Sequence, residues 1–319
     1  MLITALAGGI GGARFLRGLK AELAARGGDH AITVIGNTAD DITLFGLRVC
    51  PDLDTVMYTL GGGIHEDQGW GRADETFTVK EELGAYGVEP QWFGLGDRDF
   101  ATHIVRSQML AAGYPLSQVT EALCERWQPG VRLIPMTDDQ VETHVVVDDE
   151  QGRRAVHFQE WWVRLHASTP ALSIVPIGAD DAKPAPGVLA AVAAADVLLL
   201  PPSNPVVSIG TILAVPGIRE ALVASPAPLV GVSPIIGGAP VRGMADACLA
   251  TLGIETSAGA VAALYAGLID GWLVDDADAG TEVDGVVVRA LPLLMSDEAT
   301  TRAIAAAALD LAAELGPRR

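Results

Sequence analysis

The chain has 319 residues, half of them hydrophobic and only 5% aromatic, enough to bury a full core as one large domain or one domain with an insertion. Forty acids against twenty-one Lys and Arg leave a formal charge of −19, which repels a phosphate backbone and excludes a general nucleic-acid binder. Any anionic ligand must therefore be held by local donors or by a cation. Cys50, Cys124 and Cys248 lie far apart in no metal-type spacing, as expected of reduced cytosolic thiols. The opening lacks the basic and long apolar regions of a signal peptide, and no apolar run reaches the roughly 20 residues of a membrane span. The expectation is a cytoplasmic protein without a membrane or nucleic-acid partner.

Leu2 to Ala7 reads as a buried strand ending in glycines, Ala13 to Arg26 carries helical spacing, and Ala31 to Ile35 is a second buried strand. This β, Gly-loop, α, β opening is half of a doubly wound unit. A loop spans Asn37 to Thr43, and Asp52 to Thr55 looks like a capped helix start leading into Val56, Met57 and Leu60. From Asp74 to Trp127 the pattern is mostly helical, with helices at Ala101 to Ala112 and Ser117 to Trp127.

Strand signals resume at Val131 to Pro135, Glu142 to Val147 and Arg153 to Gln159, with a hairpin turn at Asp148 to Gly152. Leu172 to Ile177 is a further strand without an obvious role. Val188 to Ala195 reads as a helix, Asp196 to Leu200 as a buried strand, and Pro201 to Pro205 as a loop at its carboxyl end. Leu229 to Ser233 repeats that design before Pro234 to Gly238, and Ser296 to Leu315 is an Ala-rich helix. The fold class is α/β, a Rossmann-like, mainly parallel doubly wound sheet. It forms a single domain over 1–319, with a helical and β-hairpin insertion at about 62–170. In such sheets ligands sit beyond the carboxyl ends of the strands, where the unusual loops of this chain fall.

Gly8, Gly9, Gly11 and Gly12, followed by Arg14, stand between strand and helix, where backbone amides and the helix end favour phosphate. Neither the dinucleotide fingerprint nor a P-loop is met, and a tight turn without ligand has the same pattern. Asn37 and Thr38 precede Asp40 and Asp41, and Asp52, Asp54 and Thr55 follow about a dozen residues later. These carboxylates suit Mg²⁺ beside a substrate phosphate, or one of them suits a proton acceptor. Capping explains Asp52 equally well, whereas the Asp40–Asp41 pair has no obvious basic partner. Thr102, His103 and Arg106, after Asp97, share a helix face that can present donors, although His103 alone also reads as a packed histidine. Ser203 and Asn204 can read a base or sugar edge, or simply form a Pro-stiffened turn.

The segments AGGIGGARFL, IGNTADD, PDLDTVMYTL, LGDRDFATHIVR, PMTDD, PPSNPVVSIGTIL and VSPIIGG, in this order, resemble the CofD family, most closely its actinobacterial FbiA branch. The resemblance runs from Leu2 to about Asp276. It implies a transferase of coenzyme F-420 biosynthesis, Mg²⁺-dependent and homodimeric. The donor would be a guanosine-diphosphate-activated three-carbon acid, enolpyruvyl or lactyl, and the acceptor the ribityl hydroxyl of the deazaflavin Fo. GMP would leave, giving dehydro-F-420-0 or F-420-0. On this resemblance Gly8, Gly9, Gly11, Gly12, Arg14, Ser203, Asn204, Ile236 and Gly237 hold the guanosine phosphates. Asp40, Asp41, Asp52 and Asp54 hold the metal or orient the hydroxyl, with Asp40, Asp41 and Asp52 as the catalytic set and Asp40, Asp52 and Asp54 as the metal set. Asn37, Thr38, Thr55, Asp97, His103 and Arg106 complete the binding set, and the Trp70 to Thr78 segment covers the deazaflavin ring.

Two rival readings remain open at this point. A YvcK-like nucleotide-sugar-binding regulator would share the core without the transfer reaction. An NAD(P)-dependent oxidoreductase would share the Gly-loop, against which stand the broken fingerprint and the Gly36–Asn37 pair where a ribose-reading acid belongs.

Overall fold

The computed structural model describes residues 1–318. Seven short strands form one parallel sheet: β1 (Leu2–Ala7), β2 (Ala31–Gly36), β3 (Arg132–Pro135), β4 (Val197–Leu200), β5 (Leu229–Val232), β6 (Gly271–Val274) and β7 (Val287–Ala290). Their order across the sheet is β7-β6-β5-β4-β1-β2-β3, and every pairing is parallel. The chain walks outward from β1 through β2 to β3, then returns to lay β4 on the other side of β1. That reversal is the switch point of a doubly wound sheet, where neighbouring connections leave in opposite directions and open a crevice. The α/β, Rossmann-like expectation holds.

Both faces of the sheet are covered, which is why β4, β5 and β6 are buried at every position. On one face the helices Gly9–Arg26, Pro51–Leu60 and Glu298–Leu315 join Phe15, Leu16, Leu19, Val56, Ile304 and Ala308 into one core. On the other, Val188–Ala194, Ile209–Ala214, Ile218–Ala224, Ala245–Thr251 and Ala258–Leu264 surround a second core containing Val192, Ile212, Leu222 and Val261. The β2-to-β3 connection carries a small hairpin, Ile42–Leu44 with Leu47–Val49, and the helices Thr78–Ala85, Asp97–Ala111 and Leu116–Trp127. The β3-to-β4 connection carries an antiparallel sheet with Glu142–Asp149 between Gly152–His157 and Ala171–Ile177. The strand of unassigned role is thus the edge of that small sheet.

The largest departure from the sequence reading is at the glycine cluster. Gly9 to Gly12 are not a loop; the helix starts at Gly9, directly after the Gly8 N-cap. Glycine costs a helix about 1 kcal/mol per residue relative to Ala, so the reason for these glycines lies in packing. A Cβ on Gly11 would stand 2.1 Å from the Pro202 carbonyl oxygen, and one on Gly12 2.7 Å from Ser203 Oγ. The bare backbone lets the helix end press against the loop leaving β4.

Candidate active site

Four strand ends supply the walls of the crevice. Gly8 to Gly11 follow β1, Asp40 belongs to the turn after β2, Pro202 to Asn204 follow β4, and Ser233 and Pro234 follow β5; all line one cavity. Asp52, from the start of Pro51–Leu60, and Ser208 complete its polar end. The opposite wall is apolar, with Phe158, Trp162, Met244 and Leu293 to Met295. Arg14 and Arg242 are the two basic residues on the lining.

Asn37 ties the polar end together. Its Nδ2 donates to Asp52 Oδ2 at 2.9 Å and to the Val207 carbonyl at 3.1 Å, while its Oδ1 accepts from the Ala39 amide and the Thr211 hydroxyl. Asn37 is fully buried, every polar atom of its side chain is satisfied by the protein, and it does not line the cavity. It fixes Asp52 beside the helix end, where a Cβ on Gly8 would lie 2.4 Å from Asp52 Oδ2. The positive end of the helix dipole thus faces a resident carboxylate.

Asp40 and Asp52 are buried carboxylates on the same cavity. Burial pushes Asp40 well above the usual carboxylate range, and Asp52 and Asp41 add to it, against the Asn37 and Thr143 side chains. Burial also raises Asp52 to about 6, opposed by Asn37, the Gly9 amide and Ser208. Asp40 Oδ1 has no hydrogen-bond partner, an unusual state for a buried oxygen. Among the described residues no three His, Cys, Asp or Glu side chains form a metal-holding group. Two carboxylates with an unfilled oxygen nevertheless match how Mg²⁺ is held, by one or two acids completed by substrate phosphate and water.

The other acids are turned away from the cavity. Asp54, expected with Asp40 and Asp52 as a metal ligand, is buried in a two-pronged ion pair with fully buried Arg106. His103 Nδ1 lies 3.0 Å from Arg106 Nη1, and burial lowers this histidine to about 4. Arg106 and His103 therefore form a structural core with Asp54 and present no donors to the cavity. Asp41 does have a basic partner, contrary to the sequence reading: Arg48 Nη2 is 3.3 Å from its Oδ2, and burial still raises Asp41 to about 7.

Other expected residues also fall elsewhere. Asp97 caps the helix Thr78–Ala85, accepting from the Thr76 hydroxyl and from the Thr78 and Val79 amides. Thr38 and Thr55 are buried off the cavity, Gly12 packs on Ser203, and the Gly237 amide donates to Asp278. Trp70 lines a second cavity with His65, Arg72, Glu75 and Phe77. The cavity thus gathers Gly8, Gly9, Gly11, Arg14, Asp40, Asp52, Ser203, Asn204 and Ile236. Sequence reasoning missed Ser208, Ser233, Trp162, Arg242 and Leu293 to Met295. Ser208 and Ser233 lay inside segments already singled out; the others carry no local signal.

Comparison with known proteins agrees with this architecture. Residues 3–286 match the family model described as 2-phospho-L-lactate transferase CofD. The chain is 74% identical to a phosphoenolpyruvate transferase of Thermobifida fusca, covering 100% of both, and 71% identical to one of Kitasatospora aureofaciens, covering 99% of both. A phosphoenolpyruvate transferase of Mycobacterium sp. (strain KMS) is 58% identical over 98% of this chain and 99% of its own. In fold, the chain resembles protein BH3568 from Bacillus halodurans, with a TM-score of 0.61 at 19% identity over 97% of this chain and 99% of that one. No helix among the described residues is long and apolar enough to cross a membrane. With a family model spanning most of its length and full-length relatives this similar, the chain belongs to the CofD family and is an enzyme of the transferase class.

Proposed function

We propose that this transferase moves the phosphoenolpyruvyl group from enolpyruvyl-diphospho-5'-guanosine to the terminal ribityl hydroxyl of Fo, in the making of coenzyme F-420. The observation that carries the chemistry is the buried Asp40–Asp52 pair at the glycine-rich helix end, on a cavity at the switch point. The choice of the enolpyruvyl over the lactyl group is supported by the full-length likeness to phosphoenolpyruvate transferases.

In this reading the ribityl oxygen attacks the phosphorus that bears the acid, and the bond from that phosphorus to the bridging oxygen breaks. GMP leaves and dehydro-F-420-0 forms. Asp52, fixed by Asn37, and Asp40 would hold Mg²⁺. When bound, the cation supplies positive charge that returns both carboxylates to their ionised form and offsets the diphosphate. Asp40 also takes the hydroxyl proton, through the carboxylate oxygen that the cation leaves free. Ser203 and Asn204 orient the nucleotide, the wall of Phe158 and Trp162 takes the guanine, and Trp70 and Phe77 take the flat ring of Fo. The enzyme works as a homodimer.

The test is product mass spectrometry with Fo, Mg²⁺ and either the enolpyruvyl or the lactyl donor. Dehydro-F-420-0 formed with clear preference for the enolpyruvyl donor is expected. No product from either donor refutes the reaction, and preference for the lactyl donor refutes the assignment of the acid.

A further inference from the structure

Arg14 and Arg242 both line the cavity, one from the second turn of the opening helix and one from the bend after the short strand Ala239–Pro240. Both are occupied by the same stretch of backbone. Arg242 Nη1 donates to the Gln68 carbonyl at 2.8 Å and its Nη2 to the Asp67 carbonyl at 3.0 Å, while Arg14 Nη2 donates to the Glu66 carbonyl at 3.2 Å. Neutral carbonyls are weak company for two guanidiniums that repel each other. Burial lowers the pKa of Arg14, and Arg242 and Arg17 lower it further against the Glu66 carboxylate. Arg17 takes that carboxylate at 2.7 Å, so it does not bridge the Arg14–Arg242 pair.

This backbone stretch also links the lining residues of two cavities. Its carbonyls face the arginines of the first cavity, while His65, Gln68 and Trp70 line the second. The contact is close: a Cβ on Gly69 would stand 2.7 Å from Ile10 Cγ2 and 3.3 Å from Arg242 Nη1. Since Asp52 already occupies the helix end, the guanidiniums are the strongest donors left on the lining for an anion.

We infer that Arg14 and Arg242 form a clamp for an oxyanion of the donor, kept ready by the Glu66–Gln68 carbonyls, and that the donor displaces this strap. The exchange replaces neutral acceptors by a charged, two-pronged one, the stronger kind of hydrogen bond. Releasing the strap breaks this link between the donor cavity and the one beside Trp70. The inference rests on the proposed reaction for the identity of the donor, though not for the presence of an anion site.

The oxyanion is either a phosphate of the nucleotide or the carboxylate of the three-carbon acid. Titration calorimetry of GDP and GMP on wild type and Arg242→Gln, with KM for the full donor, separates them. Arg242 is exposed, so the variant folds. A loss of roughly 10- to 100-fold is expected for a hydrogen bond to a charged group. A loss for GDP alone assigns the terminal phosphate, a loss for both assigns the phosphate they share, and a rise confined to the donor's KM assigns the carboxylate. Hydrogen exchange at 65–70 should quicken when the wild type is saturated with the ligand so assigned, and should already be fast in ligand-free Arg242→Gln. No change in any of the three affinities, or exchange at 65–70 that stays slow on saturation, overturns the inference. If the wild type binds no guanine nucleotide, the functional reading fails by itself; pyrophosphate, binding wild type more tightly than Arg242→Gln, then still tests the clamp.

Discussion

Asp40 is the residue where stability and activity pull apart. Its Oδ1 is buried without a partner, and its neighbours Asp41 and Asp52 are acids, so the ligand-free protein carries a destabilising group that a bound cation would satisfy. Asp40→Asn keeps the shape and removes the charge. It should raise Tm by a few degrees at pH 8 and abolish turnover; unchanged rates would remove Asp40 from the mechanism. Asp52→Asn should also stop turnover, with a smaller gain in Tm because Asn37 already donates to Asp52. Asp54→Asn should behave in the opposite way. It leaves Arg106 buried without its counter-charge, and breaking such a pair costs about 3–5 kcal/mol. A steep fall in Tm is expected, and a stable, inactive Asp54→Asn variant would instead place Asp54 at the reaction centre. The sequence could not separate these acids, because what sorts them is the partner: Arg48 and Arg106 claim Asp41 and Asp54, and no spacing rule reveals that Arg106 lies 52 residues away from its acid.

Among the elements, the helix Gly9–Arg26 shows how much of the fold the sequence carries and where it stops. Its apolar periodicity from Phe15 onward was legible, as were β1, β2, β4 and β5, since buried parallel strands read as continuous apolar runs. Its first turn was not legible, because four glycines within six residues mask a helix start. The strands β6 and β7 escaped as well, and β7 is half exposed. The glycines of this helix serve two different neighbours, which yields a paired test. A Cβ on Gly18 would lie 2.7 Å from the Thr301 carbonyl carbon and oxygen of the C-terminal helix Glu298–Leu315. Gly18→Ala should therefore overpack that crossing, at about 1–3 kcal/mol, and lower Tm while GDP affinity stays as in wild type. Gly11→Ala meets the Pro202 carbonyl instead, displaces the helix end from the cavity and should lose both stability and nucleotide binding. Equal effects of the two changes on GDP affinity would contradict this division.

For the whole molecule, the pH dependence of stability follows from the sign of its buried charges. Asp41 and Asp99 are raised to about 7 and Asp52 to about 6, each chiefly by burial, and Asp40 is raised by burial as well. An acid whose folded pKa is raised holds its proton in the native state while the unfolded chain has already released it. Stability therefore falls as pH climbs from about 4 through 7. His103, lowered to about 4, and His157, also lowered, work the other way, since the unfolded chain takes up their protons first as pH drops below about 6.5. Four acids outweigh two histidines between pH 8 and 5.5, and protonation over that range also relieves the self-repulsion of a chain with formal charge −19. Carboxyls held low by arginines, such as Glu22 beside Arg302 and Arg26, act only below that range. Calorimetric scans should accordingly give a higher Tm at pH 5.5 than at pH 8 for the ligand-free protein, and a Tm that rises with pH would show that the acids ionise at their ordinary values. Adding Mg²⁺ with GDP should raise Tm by mass action, and by more at pH 8 than at pH 5.5, because the ligating carboxylates must first lose the protons that burial makes them keep.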